Sequence, residues 1–300
     1  MTTTPLITSV ESESQTPSPR AVQRRRAKVT PATIVRYLAL IIMFFVMIGP
    51  FLWQLSTSLK GPKVDLYSNP PELWPIDATL AAYGEVAAVV PVWLYVLNST
   101  IVAVIAVVGN VVGATLAGYA LATLKFRGRK LALGIFLVGI LIPGEVILIS
   151  KYLLTQSMGL NNTLLGVALP TAVAALNVLL MRNAFLAVPP ALEEAAMLDG
   201  ANTWQRFRHI ALPSVQGMMV VVAIFSFVGS WDEFLWPLIV LSDQNLYTLT
   251  VGLNYLQGTF ANNPRVVAAG TIIAVVPLII MFFALQRYFF RGIGEGGLKG

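Results

Sequence analysis

The fold class predicted by this 300-residue sequence is all-α: a polytopic membrane protein with six transmembrane helices. Three observations carry that expectation. Hydrophobic residues make up 56% of the chain and charged ones 11%, with a mean hydropathy of +0.75, whereas soluble domains carry roughly 25% charged residues. Six apolar runs reach the ~20 residues a helix needs to cross the hydrocarbon core. The basic residues alternate between the connecting segments in a way that sets a topology.

The runs lie at 37–59, 94–124, 131–154, 163–188, 214–240 and 266–286. The first, second and last are uncharged. In the third, Pro143 and Gly144 precede Glu145 and predict a broken span, with Lys151 further on. The fourth carries Arg182 near its end, and the fifth contains the adjacent pair Asp232 and Glu233. With the N-terminus inside, the cytoplasmic segments hold sixteen Lys and Arg and the outer segments four. Lys and Arg favour cytoplasmic loops, so both termini are expected in the cytoplasm. Residues 1–33, rich in Ser, Thr and Pro, read as a disordered cytoplasmic tail. Residues 34–290 read as the six-span domain and 291–300 as a cytoplasmic C-terminal tail. The length of the first run and the five runs after it argue against a cleaved signal peptide. Of the outer loops, 60–92 and 242–264, the second is long for a connector, as functional loops tend to be.

Composition also excludes. Without cysteine there is no disulfide, thiolate nucleophile or cysteine metal site, and His209 alone makes no histidine metal set or catalytic triad. The net charge of +6 reads as membrane orientation and not as nucleic-acid binding. Gly292, Gly294 and Gly297 spell G-x-G-x-x-G but lack the preceding strand and following helix of a dinucleotide site. No G-x-x-x-x-G-K-[ST] occurs, so ATP hydrolysis by a P-loop is not expected of this chain.

Ionisable groups at membrane depth cost ~2.5–3.5 kcal/mol each on insertion scales, so Glu145, Asp232 and Glu233 each require a reason. With Asn98, Asn110, Asn177 and Trp231 they are candidates for a solute path. Amides and carboxylates suit hydroxyls, and an aromatic face suits a sugar's C–H face. Interhelical hydrogen bonding explains the asparagines equally well, and a headgroup-level position explains the two carboxylates. The glycines at 109, 113 and 118 are expected to let helices approach closely.

The polar segment 189–213 is the most informative. Pro189 and Pro190 suit a first helical turn, and Glu193 and Glu194 lie near its positive end. Leu192, Ala195, Ala196 and Met197 or Asp199 follow at helical spacing, and Gly200 ends or turns that helix. Asn202 is a fair N-cap for a second helix, with Gln205 three residues on. Its apolar face is predicted as Trp204, Phe207, Ile210 and Ala211, with Arg206, Arg208 and His209 outward. Such a pair of helices rests on headgroups or fits a groove in a partner protein.

Within it, EAAMLDGANTWQRFRHIALP (194–213) has the form EAA, three residues, Gly, nine residues, I-x-LP. This resembles the EAA loop of ABC importer permeases. Residues 98–130, 142–170 and 231–238 resemble the carbohydrate group of that family, and GIGEGGLKG at the C-terminus resembles the short tail of the maltose-type second permease. The resemblance implies a coupling helix seated in a cytoplasmic ATPase, with Glu194 as acidic contact and Ala195 and Ala196 closely packed. It places Gly200 at the turn, surrounded by Glu193, Asp199, Ile210, Leu212 and Pro213, and gives Lys299 and Gly300 a tail contact. It further implies a second permease chain, two ATPase copies that bind the ATP and Mg, and an extracytoplasmic binding protein. The solute would be a sugar or glycerol-phosphate-like molecule and the setting the bacterial inner membrane, in contact with lipid. An ion-gradient carrier using Glu145 and Asp232 as proton sites is the rival reading.

Overall fold

The computed structural model describes residues 31–297 apart from 69, 71, 76 and 260–262. Among the described residues the chain is helical, with one isolated bridge between Lys60 and Ala78. The helices are α1 (Pro31–Leu59), α2 (Ala81–Val89), α3 (Val92–Thr123), α4 (Arg129–Leu141), α5 (Leu148–Ser157), α6 (Leu164–Ala168) and α7 (Ala175–Leu186). Then come α8 (Pro190–Leu198), α9 (Thr203–Arg206), a π turn (Phe207–Ala211), α10 (Leu212–Ser214), α11 (Gln216–Asp232), α12 (Leu235–Val240), α13 (Leu249–Thr259) and α14 (Pro264–Gly297).

Three of these helices, α1, α3 and α14, are long and apolar enough to cross a membrane, and up to five spans result if each bent pair is one span. The expected third span is divided into α4 and α5, because Pro143 interrupts the ladder and Gly144 follows it. The fourth bends by 42° between Thr171 and Ala175. The expected fifth ends at Asp232, and α12 restarts the helix after a two-residue break.

Two compact units divide inside α1, after Gly49. In the first unit the described stretch, 31–49, is exposed along nearly its whole length. An apolar helix bare on every side suits lipid or a partner helix.

In the second unit α3 is central and packs along α7 and α11. Its glycines explain how. A Cβ on Gly109 would sit 2.8 Å from the Ala172 carbonyl oxygen, and one on Gly118 would sit 2.7 Å from the Met181 Cβ and 2.9 Å from the Arg182 backbone nitrogen. Small residues let the α3 and α7 backbones come together, and dispersion between close-packed atoms replaces the hydrophobic force that lipid removes. At the end of α3 the Arg129 guanidinium donates to the carbonyls of Leu121 (2.9 Å), Ala122 (2.9 Å) and Leu124 (3.4 Å). These are orphan acceptors at the negative end of the helix. Gly118→Val is expected to lower stability by about 2–3 kcal/mol, read as a lower thermal midpoint in detergent. An unchanged midpoint would contradict the packing claim.

The outer loop at 242–264 is pinned where it starts. Asn98 on α3 donates to the carbonyls of Asn245 (2.9 Å) and Tyr247 (3.0 Å), and the Ser99 hydroxyl accepts from the Leu249 backbone N–H at 2.8 Å. Asn162, at φ 54°, accepts the backbone N–H groups of Ser242 and Asp243 at 2.9 Å each. From this base α13 rises within the loop and packs on α14.

Candidate functional site

The segment 189–213 folds as two short helices about one glycine. Pro190 begins α8, and Glu193 stands in its first turn. Gly200 closes it at φ 80°. Its N–H donates to the Met197 carbonyl (3.1 Å) while the Ala201 N–H donates to the Ala196 carbonyl (2.9 Å). This paired closure is the Schellman motif, and it requires a left-handed residue at the glycine position. Asn202 then caps α9 reciprocally: its side chain accepts from the Gln205 N–H (2.9 Å), and the Gln205 side chain accepts from the Asn202 N–H (2.8 Å).

The π turn over Phe207–Ala211 holds one residue more per ring than an α turn and rotates the face that follows. Phe207 and Ala211 are buried as expected. Trp204 is 60% exposed, although its ring lies 5.3 Å from that of Phe207. Arg206 turns inward, contrary to the helical-wheel expectation, and pairs with Glu193 at 3.3 Å with 13% and 14% of the two side chains exposed. The reason is charge: a carboxylate on α8 lies within reach, and pairing offsets the desolvation of both groups. Phe207 lies 5.0 Å from Tyr119 on α3, which in turn meets Phe185 on α7 at 5.4 Å. Rings thus connect the surface segment to the bundle. Glu194, Ala195, Asp199, Gly200 and Pro213 are exposed, Ile210 and Leu212 partly so, and Ala196 is buried.

A second feature is a cavity of about 270 Å³ between α3, α6, α7, α11 and α12. Asn110, Asn177 and Glu233 line it, together with Phe225, Ser226, Ser230 and Trp236. Asn110 is fully engaged. Its NH₂ donates to the carbonyls of Ala106 (2.9 Å) and Thr171 (2.8 Å), and its oxygen accepts from the Ala174 backbone (2.7 Å) and from the Asn177 NH₂ (2.9 Å). Such a saturated amide braces helices and has nothing left to offer a solute. Asn177 also donates to the Ser226 hydroxyl at 3.0 Å. Glu233 caps α12 by accepting the Trp236 N–H at 3.1 Å.

The other candidates for a solute path lie elsewhere. Asn98 is occupied in holding the outer loop. The Trp231 indole donates to the Ala274 carbonyl at 3.0 Å and its ring stacks on Phe227, which turns it toward α14. Asp232 is exposed at the end of α11, and Glu145 is exposed in the break between α4 and α5. Lys299 and Gly300 lie outside the described residues. The sequence reading missed Ser230, Phe225 and Trp236. A signal was present: Ser226, Ser230 and Glu233 recur at i, i+4 and i+7, a polar stripe on an otherwise apolar helix. It also missed Lys151, whose ammonium sits 3.8 Å from the Trp236 ring centroid.

A bundle with a capped two-helix surface segment and an internal polar cavity defines a transport subunit. The chain belongs to the family described as binding-protein-dependent transport system inner membrane component, whose pattern matches residues 109–295. It is 33% identical to the arabinooligosaccharides transport system permease protein AraQ of Halalkalibacterium halodurans, over 82% of this chain and 86% of that protein. It is 30% identical to the diacetylchitobiose uptake system permease protein DasC of Streptomyces coelicolor, over 87% of this chain and 95% of that one. Its fold matches a chain of a bacterial ABC transporter that imports the acidic polysaccharide alginate, with a TM-score of 0.75 at 24% identity, covering 85% of this chain and 95% of that one. The protein is therefore an inner-membrane ABC importer permease, a transport subunit and not an enzyme, whose ATPase is a separate partner. The ion-gradient reading gives way to this one.

Proposed function

We propose that this chain is one of two different permease subunits of an ATP-driven sugar importer. It has six spans, α4 and α5 forming a broken third, with both termini in the cytoplasm. Two ATPase copies bind the ATP and Mg, and a binding protein delivers the solute from outside. The observation that carries this reading is the surface segment. Its two helices are locked by a Schellman closure, a capping box and an ion pair. A part that transmits force between proteins needs that rigidity. Closure of the ATPase pair moves 189–213 as one body. The Phe207–Tyr119–Phe185 contacts pass the displacement to α3 and α7, opening the bundle to the outside. The named solutes of the relatives, arabinooligosaccharides and diacetylchitobiose, support a carbohydrate cargo.

Purification of the tagged chain from its own membranes in mild detergent tests the reading. A P-loop ATPase and a second permease should accompany it, and a sugar-loaded binding protein should raise ATP hydrolysis. A chain that purifies alone and moves solute down a proton gradient in vesicles would overturn the proposal.

A further inference from the structure

We propose that the cavity between α3, α7 and α11 is a solute subsite contributed by this chain, that it accepts one ring of a neutral, hydroxyl-rich solute, and that it discriminates against acidic sugars. The inference rests on the permease reading and adds the substrate class.

The assignment follows from which polar atoms are left over. The Ala174 backbone N–H can only donate, so the atom of Asn110 that receives it is the oxygen. The Asn177 atom that meets this oxygen is then the NH₂, and both of its protons are committed, to Asn110 and to Ser226. The Asn177 amide oxygen makes no hydrogen bond among the described residues. One oxygen of Glu233 caps α12, and the other is unbonded. The Ser230 hydroxyl is buried without a partner. These leftover atoms are mainly acceptors, and all three residues line the same cavity, beside Phe225 and Trp236.

Unpaired polar atoms in a low-dielectric site are costly until a ligand supplies donors. A sugar ring supplies hydroxyl donors, and its C–H faces suit the two aromatic side chains. A carboxylate or sulfonate has no proton to give the Asn177 oxygen and meets the like charge of Glu233. A volume of about 270 Å³, just below the ~300–1,000 Å³ of drug-sized sites, admits a ring and not a whole oligosaccharide. Longer sugars would thread through with one ring in the cavity at a time.

The chain has no cysteine, so Ser230→Cys places its single thiol at the cavity wall with little change of volume. The test uses the full chain, purified with its companion subunits and separated on a gel after labelling. The cationic reagent 2-aminoethyl methanethiosulfonate should react about tenfold faster than its anionic 2-sulfonatoethyl counterpart, because a charged cleft concentrates opposite charge. Glu233→Gln, which keeps an oxygen for the α12 cap, should remove that preference. A mixture of arabinose, glucose and N-acetylglucosamine should slow labelling severalfold, and glucuronate should not. A thiol silent to both reagents, equal rates with both, or equal protection by glucuronate would each overturn the subsite. Failure of the permease reading shows separately, as a chain that purifies without an ATPase.

Discussion

Gly200→Pro should leave the chain in the membrane at the normal level and abolish ATP-dependent uptake, whereas Gly200→Asn should keep much of it. The contrast isolates one cause. A side chain on Gly200 meets no heavy atom within 4 Å, so crowding inside the chain is not at issue. What matters is φ, which is 80° in the folded segment. Proline holds φ near −65° and has no N–H, so it removes the bond to the Met197 carbonyl as well as the turn. A penalty of ~3 kcal/mol corresponds to a roughly 100-fold loss of the working geometry. Asparagine enters the left-handed region more readily than other side chains. The measurements are membrane abundance, labelled-sugar uptake, and ATP hydrolysis with and without loaded binding protein. In Gly200→Pro, hydrolysis should lose its response to the binding protein while the bundle's thermal midpoint holds. Equal uptake by the proline and asparagine variants would contradict the claim that the turn orients two coupled helices.

Both helix ends in this segment were legible in the sequence because they depend on local chemistry. Pro190, Gly200, and Asn202 with Gln205 act within four or five residues of themselves, and each stands where spacing placed it. The close approach at Gly109, Gly113 and Gly118 was legible for a similar reason: small residues in a long uncharged run serve few other ends. The facing of Arg206 and Trp204 was not. A wheel drawn at 3.6 residues per turn cannot include a π turn, and the Glu193 that draws Arg206 inward belongs to another helix. Asn98 shows the same limit at longer range, since its partners lie 147 and 149 residues away. Of the seven residues proposed for a solute path, Asn110, Asn177 and Glu233 line one cavity. An asparagine that braces and one that binds look alike until the hydrogen bonds of each are counted.

Removing either partner of the Glu193–Arg206 pair should uncouple transport, and removing both should restore part of it. With 13% and 14% of the two side chains exposed, the pair stands between exposed pairs, worth ~0–1 kcal/mol, and buried ones, whose one-sided loss costs ~3–5 kcal/mol. About 2 kcal/mol is the expected cost of Arg206→Gln. Its effect should fall on the junction of α8 with α9, because the ion pair joins those two helices directly. The Tyr119 hydroxyl, buried without a hydrogen bond, sits beside the same pair and should respond to its loss. Glu193→Gln should behave like Arg206→Gln. The double variant should lose less than the sum of the two, since no lone charge is left behind, and the difference measures the coupling energy. Glu194 supplies the internal control. It is exposed and makes no ion pair among the described residues, so Glu194→Gln should leave the thermal midpoint unchanged whatever it does to ATPase contact. If Glu193→Gln and Glu194→Gln had the same effect on melting, the two carboxylates would share one role, and the division into an inward brace and an outward contact would fall.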